Sequence, residues 1–318
     1  MKLAFILDPL EHLKAWKDSS VAMLRAAQAR GHEVHAIMRP ALVWRDGAVR
    51  AQAERLVVRD EHRDWFEAGA SEERPLAAFD AVLMRQDPPF DFEYLAATWL
   101  LERAAAGGAR VFNDPRAVRD HSEKLSILEF PQFIPETAVA REPEALQAFI
   151  DEMGKDGGDA ILKPLDGMGG SQVFRVRRDD PNRNVIVETL TCHGARSIIA
   201  QRFIPEIARG DKRILLIGGA VVPHALARIP KPGETRGNLA AGGSGVVQPL
   251  TLRDREIAET LAPLLHARGI LLAGIDVIGD CLTEINVTSP TCFVEIAQQS
   301  GFDVAGLFVD ALERACGA

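Results

Sequence analysis

Disulfide chemistry has little material in this chain. Its 318 residues include four cysteines, Cys192, Cys281, Cys292 and Cys316, with no C-x-x-C pair among them. That excludes a disulfide scaffold and leaves reduced thiols, as expected in the cytoplasm. No apolar run approaches the roughly 18 residues of a membrane-spanning helix. The opening "MKLAFILDPLEHLKAWKDSS" has its apolar run only from Leu3 to Leu7, ending in Asp8-Pro9, so it reads as a first strand and not a leader. An excess of basic charge is also missing. The net charge of −8 argues against nucleic acid as a partner. The eight histidines show no H-x-x-x-H spacing, which removes the usual zinc motif. No G-x-G-x-x-G follows the first strand, so the dinucleotide fingerprint is absent. Lysine is scarce, at 8 of the 37 basic residues, so each one hints that an ammonium and not a guanidinium was needed.

What is present is an ordinary soluble composition, 47% hydrophobic and 26% charged, long enough for two or three domains. Strand and helix signals alternate through the first part: "LAFIL", "VAMLRAAQARG" behind Asp18-Ser19-Ser20, "HEVHAIM", "DAVLMR", "FEYLAATWLLERAAAGG" and "ARVFN". This alternation implies a parallel sheet with helices on its faces. A second unit begins near Asp114-Pro115 with a helix over "DPRAVRDHSEKLSILEF" and another over "EPEALQAFIDEMG". The strands "ILKPL", "VFRVRR", "VIVETL" and "SIIAQRFI" follow, mostly antiparallel in character. A third unit opens with a hairpin around Gly218-Gly219, then a patternless segment at 230–245. Loops this long are uncommon inside compact domains and are usually functional. A helix capped by Thr251 and Asp254, the strands "ILLAGIDVI" and "LTEINV", and a closing helix complete the chain.

Four groups of residues could carry chemistry. In "GIDVIGDCLTEINV", Glu284 and Asn286 share one face of a strand, since side chains alternate. Asp276 joins them if Gly279-Asp280-Cys281 is a three-residue loop with a bulge, which pairs Asp276 with Glu284. Three oxygen donors of that kind suit Mg²⁺. Lys163, inside the apolar "ILKPL", is explained by an ammonium reaching an anion, whereas Lys124 in "SEKLSI" is open to a simple surface reading. Gly167, Gly169 and Gly170 let backbone N–H groups approach an anion closely. Arg213, Arg228 and Arg236 flank the 230–245 segment and suit a lid over a polyanion.

Taken together, "KDSS", "LMRQDPPFD", "EKL", "ILKPLDGMGG", "DKRILL", "ARIP", "GETRGNLAAGG" and "LTEINVTSPT" resemble the bacterial glutathione synthetases of the ATP-grasp superfamily over nearly the whole chain. The resemblance implies an α/β (α+β ATP-grasp) fold: an N-terminal parallel-sheet pre-ATP-grasp domain at 1–121, then an ATP-grasp domain at 122–318. The latter divides into an ATP-binding lobe at 122–204 and a metal-binding, catalytic lobe at 205–318, with a flexible lid at 230–245. It implies ligation of γ-glutamylcysteine and glycine at the expense of ATP, through an acyl phosphate. Lys124 and Lys163 would hold the α- and β-phosphates, with Gly167, Gly169 and Gly170 closing over them. Gln201, Phe203 and Ile204 would border the adenine, and Asp211 the ribose. Asp276, Glu284 and Asn286 would bind two Mg²⁺, with Mn²⁺ as a substitute. Arg213, Arg228, Arg236 and Asn238 would be catalytic. Asp18, Ser19, Ser20, Arg85 and Ser289 would meet the dipeptide. A cytoplasmic homotetramer is also implied. In the family a basic residue often follows "AAGG"; here it is Ser244, so no lid cation is expected at that position. The competing readings are an ATP-grasp ligase for a different acid and amine, and a non-catalytic nucleotide sensor. The sensor reading predicts loss of the metal ligands, and all three are present.

Overall fold

The computed structural model describes all residues except 238, 240, 241 and 318. Among these the strands form three sheets, in residues 2–112, 137–202 and 211–286. In the first, the buried strand Lys2–Leu7 lies parallel to Glu33–Met38 on one side and to Ala81–Met84 on the other. The helices Ser19–Ala29 and Phe92–Ala106 connect this parallel core, each started by an aspartate side chain that accepts an N–H of its first turn. The sheet is not wholly parallel. Ala48–Val58 adds antiparallel to Glu33–Met38, and Phe66–Pro75 adds antiparallel beyond it. The segment "AVRAQAERLVV" is rich in good helix formers, which hides its strand character. Its alternation settles the matter, with Val49, Ala51, Ala53, Leu56 and Val58 buried.

The second sheet is antiparallel throughout, in the order Phe174–Val176, Ala160–Pro164, Ile198–Arg202, Thr137–Ala140. Two expectations change here. "VIVETL" is not a strand but the body of a helix, Arg183–Leu190. Its β-branched residues favour a strand locally, yet Val187 and Leu190, three apart, are the positions the core takes. The long helix expected over "DPRAVRDHSEKLSILEF" also breaks. It runs only Pro115–Asp120, followed by a turn and a short 3₁₀ segment, Ser126–Glu129. The carbonyl of Glu123 instead accepts the Ile285 N–H, so a tertiary strand contact replaces a helical bond and puts Lys124 in the turn.

The third sheet has the order Ser244–Pro249, Ala220–Ile229, Asp211–Ile217, Leu272–Ile278, Cys281–Asn286. Its first strand overlaps the expected lid, so Ser244 is a paired strand residue opposite Ile229. The helix Phe293–Ser300 escaped the sequence reading because no capping side chain announces it; it starts behind Cys292, at φ 85°. Buried residues of the first and third sheets share continuous cores.

Candidate active site

One face of the third sheet carries nearly all the charge. Asp211 and Arg213 lie two apart on one strand, Arg228 is opposite Asp211, and Asp276 is opposite Arg213. Asp276 in turn is paired with Glu284, while Asn286 lies opposite Gly274. The expected Asp276–Glu284 pairing is therefore present, though by a different route. The turn has two residues, with Gly279 at φ 57°, and a bulge at Thr283 supplies the extra residue. At Gly274 a Cβ would come within 2.9 Å of both Arg213 Cδ and Pro290 Cβ, so only glycine leaves room for the guanidinium.

The second sheet faces this one. Ala160 and Leu162 enter its core, whereas Ile161, Lys163 and, opposite Ile161, Gln201 point the other way. Lys163 Nζ lies 3.4 Å from Glu284 Oε1, and Lys124 Nζ 3.8 Å from the same oxygen. Lys124 is no surface lysine. It is 4% exposed and donates to the Gly167 carbonyl at 2.5 Å, tethering the glycine flap. The flap requires glycine at two kinds of position. A Cβ on Gly167 would meet Pro164 Cγ at 2.8 Å, while Gly169 and Gly170 have φ of 61° and 80°.

Two cavities meet at the flap. The first, with an empty volume of about 870 Å³ partly open to solvent, is lined by Lys124, Lys163, Gln201, Phe203, Ile204, Asp211, Arg236, Asp276 and Glu284. The second, about 840 Å³, is lined by Arg213, Arg228, Glu284, Asn286 and Ser289. Glu284 and Gly167–Gly169 belong to both.

The carboxylates here are governed by burial and by their cations. Burial would raise Asp276, but Arg213, which grips both its oxygens at 2.5 and 3.0 Å, and Arg228 at 2.9 Å hold it well below the usual range. Burial is likewise outweighed at Glu284 by Lys124 and Lys163, which lower it. At Asp211 burial wins over Arg228, and the carboxyl is pushed up to about 6. Its Oδ1 is buried with no hydrogen-bond partner among the described residues.

Among the described residues no three histidine, cysteine or acidic side chains are already grouped as a metal cage. The donor set nevertheless fits a hard divalent cation. Glu284 meets its lysines through Oε1, and Asn286 bonds Gly274 and Asp276 through its amide nitrogen, so Glu284 Oε2 and Asn286 Oδ1 remain for a metal. Asp276 could join only by loosening its guanidinium clamp.

Several expectations are redistributed by the structure. Asp18 accepts the Val21 N–H as a helix cap, and Ser19 Oγ accepts the Phe293 N–H. Ser20 Oγ accepts from Arg85 Nε, and Arg85 Nη2 donates to the Pro290 carbonyl. None of these four lines either cavity. Through Pro290 and Phe293, Arg85 and Ser19 fix the turn over residues 287–292 that forms a wall of the second. Of the expected dipeptide residues only Ser289 lines that cavity, with its hydroxyl donated to Asp87. Arg236 is also separated from Arg213 and Arg228: it lines the first cavity and pairs with Glu234. Asn238 lies outside the described residues. Sequence reasoning did not single out Asp87, Glu123, Thr288 or Met168, all on the second cavity. Asp87 and Glu123 do sit within the runs "LMRQDPPFD" and "EKL", which offered a signal without a role.

Phe203 has a supporting residue of its own. Its ring lies between the first cavity and a further surface cleft, and on it rests the Arg175 guanidinium, 3.8 Å from the centroid. Asp159 holds that guanidinium at 2.5–2.6 Å. On the expectation that Phe203 borders the adenine, Arg175→Ala raises KM for the nucleotide by about three- to tenfold with kcat nearly unchanged, the size of a half-exposed cation–π contact. Initial-rate kinetics with varied ATP checks it, and an unchanged KM would remove the stack from nucleotide binding.

The family model described as prokaryotic glutathione synthetase, N-terminal domain, matches residues 1–119, and that described as prokaryotic glutathione synthetase, ATP-grasp domain, matches residues 123–301. The chain is 57% identical to the glutathione synthetase of Nitrosomonas europaea, covering 99% of this chain and 98% of that one. It is 55% identical to that of Ralstonia nicotianae, covering 100% and 97%. Among solved structures it resembles the D-cycloserine synthetase DcsG, with TM-score 0.70 at 16% identity over 99% of this chain and 100% of that chain. A RimK domain ATP-grasp protein from Sphaerobacter thermophilus superposes with TM-score 0.63 at 20% identity, covering 98% and 99%. At these identities the two structures speak for the fold alone.

Proposed function

The chain belongs to the prokaryotic glutathione synthetases, and from that premise we propose how its residues divide the work. It is an ATP-dependent ligase of the ATP-grasp fold that joins γ-glutamylcysteine to glycine. A cysteinyl carboxylate oxygen attacks the γ-phosphorus and ADP leaves. The glycine nitrogen then attacks the acyl carbon, loses a proton, and phosphate departs.

The observation that carries the assignment is the junction at Glu284, where both cavities, both lysines and the Asp276–Glu284 pair meet. The first cavity takes ATP, with Gln201, Phe203 and Ile204 along the adenine and Asp211 on the ribose. Lys124 and Lys163 hold the α- and β-phosphates from the floor, and Gly167, Gly169 and Gly170 cover them from the flap. Glu284, Asn286 and Asp276 would hold two Mg²⁺, with Mn²⁺ as a substitute; bound there, the ions would offset phosphate charge and keep the γ-phosphate in line. Arg213 and Arg228 stabilise the charge that develops on the acyl phosphate and on the tetrahedral carbon. The 230–245 segment, with Arg236 and Asn238, excludes water from an intermediate that would otherwise hydrolyse. Ser289 faces the dipeptide.

No described helix is long and apolar enough to cross a membrane. We place the enzyme in the cytoplasm, where its few free cysteines stay reduced, and take it as the homotetramer that the family resemblance implies.

With Mg-ATP, purified protein is expected to release ADP only when γ-glutamylcysteine and glycine are both supplied. A coupled ADP assay across acid and amine pairs measures this. Equal or faster release with another pair would sink the specificity.

A further inference from the structure

The carboxylates of the two cavities are balanced unequally. On the phosphate side each has a protein cation: Arg228 for Asp211, Arg213 for Asp276, Lys163 for Glu284. On the far wall of the second cavity Asp87 and Glu123 are held by hydroxyls and, at Glu123, by the Thr288 N–H as well, with no cation paired to either among the described residues. Asp87 Oδ1 accepts from Ser289 at 2.5 Å, and Glu123 Oε1 accepts from Thr288 at 2.7 Å. Neither forms a salt bridge among the described residues. Burial pushes both carboxyls up, and the hydroxyls offset this only in part. Asp87 is exposed at the cavity surface and Glu123 half-buried, and a carboxylate that lines a cavity without a paired cation is matched to a cationic ligand group.

The two differ in position. The charges that act on Glu123 include Glu284 and Lys124, so it lies toward the phosphates. Those acting on Asp87 are Arg85, Asp8 and Asp18, all of the N-terminal unit. Both substrates carry an ammonium. Glycine's nitrogen must reach the acyl carbon itself, whereas the α-ammonium of γ-glutamylcysteine is separated from the reacting carboxylate by the whole γ-glutamyl linkage. The remote carboxylate therefore fits the remote ammonium.

We propose that Asp87, oriented by Ser289, binds the α-ammonium of the γ-glutamyl group and so selects dipeptides that present an ammonium at that distance. This rests on the ligase reading above. It also gives the turn over residues 287–292 a purpose: by fixing Pro290 and Phe293, Arg85 and Ser19 hold Ser289 against Asp87.

The test compares γ-glutamylcysteine with N-glutarylcysteine, which lacks only that ammonium, on the wild type and on Asp87→Asn. The wild type is expected to prefer γ-glutamylcysteine by about 10- to 100-fold in kcat/KM, the worth of a charge-assisted hydrogen bond. In Asp87→Asn the preference shrinks to within about threefold, through loss on the natural dipeptide, while KM for ATP and for glycine stays within about threefold. Should that variant not fold, Asp87→Ser carries the same comparison and the same outcomes. Equal use of both dipeptides by the wild type, or an undiminished preference in the variant, overturns the proposal. Failure of the wild type to ligate either dipeptide would instead overturn the ligase reading.

Discussion

Glu284→Gln is expected to lower kcat by about 10³-fold or more while the protein stays folded. The substitution keeps the shape of the side chain and one oxygen, but removes the charge that faces both cavities. Glu284 is the only residue within 4 Å of both lysine ammoniums among the described ion pairs, and both contacts are made through Oε1. Without it Lys124 and Lys163 lose their shared partner, and on the proposed assignment the metal would lose an anionic ligand. Chemistry and nucleotide affinity should therefore fall together. Circular dichroism and thermal melting establish that the variant is folded, and single-turnover ADP formation gives the rate. Turnover within tenfold of the wild type would remove Glu284 from the metal site.

Arg228→Met carries the largest expected effect on stability, a loss of about 3–5 kcal/mol, because removing one partner of a buried pair strands the other. Arg228 is 5% exposed and serves two carboxylates, with Nη2 2.5 Å from Asp211 Oδ2 and 2.9 Å from Asp276 Oδ2. Asp276 keeps Arg213, but Asp211 keeps nothing, since its other oxygen already has no partner among the described residues. The sign of the pH dependence follows. Burial has already pushed Asp211 up to about 6, and losing Arg228 raises it further. Above its unfolded pKa and up to this raised value, the folded variant binds a proton that the unfolded chain does not, so stability falls as pH rises through that window. The deficit against the wild type should grow between pH 5 and pH 8. Urea midpoints at the two pH values measure it; a deficit that shrinks toward pH 8 would mean that Asp211 is not the stranded charge.

The hairpin that carries Asp276 and Glu284 shows how far local pattern reaches. Placing Asp276 beside Glu284 needed only an odd residue count between the paired strands. A two-residue turn plus one bulged residue satisfies that parity as well as a three-residue loop, so the pairing survives a wrong turn geometry. Lys163 was legible for a related reason: a lysine in an apolar strand must find an anion, and alternation leaves it on the face opposite Leu162. Lys124 was not, because its burial depends on a helix that stops to let Glu123 bond a distant strand.

Asp18, Ser19, Ser20 and Arg85 mark the limit. In sequence they are a polar cluster and a lone arginine, as suited to a ligand as to the protein itself. The Ser19 contact with Phe293 spans 274 positions and the Arg85 contact with Pro290 spans 205. Residue type and spacing by themselves determined the parallel core strands and the hairpin strands of the third sheet, the caps at Asp18 and Thr251, the place of Lys163 and of the flap glycines, and the carboxylate pair, since each follows from backbone periodicity or from the cost of an unmatched charge. Only the tertiary structure decided which polar groups face the cavities and which face a neighbouring chain segment. A hydroxyl or guanidinium satisfies its hydrogen bonds equally well with either, and the choice is made by what folding brings within 3 Å of it.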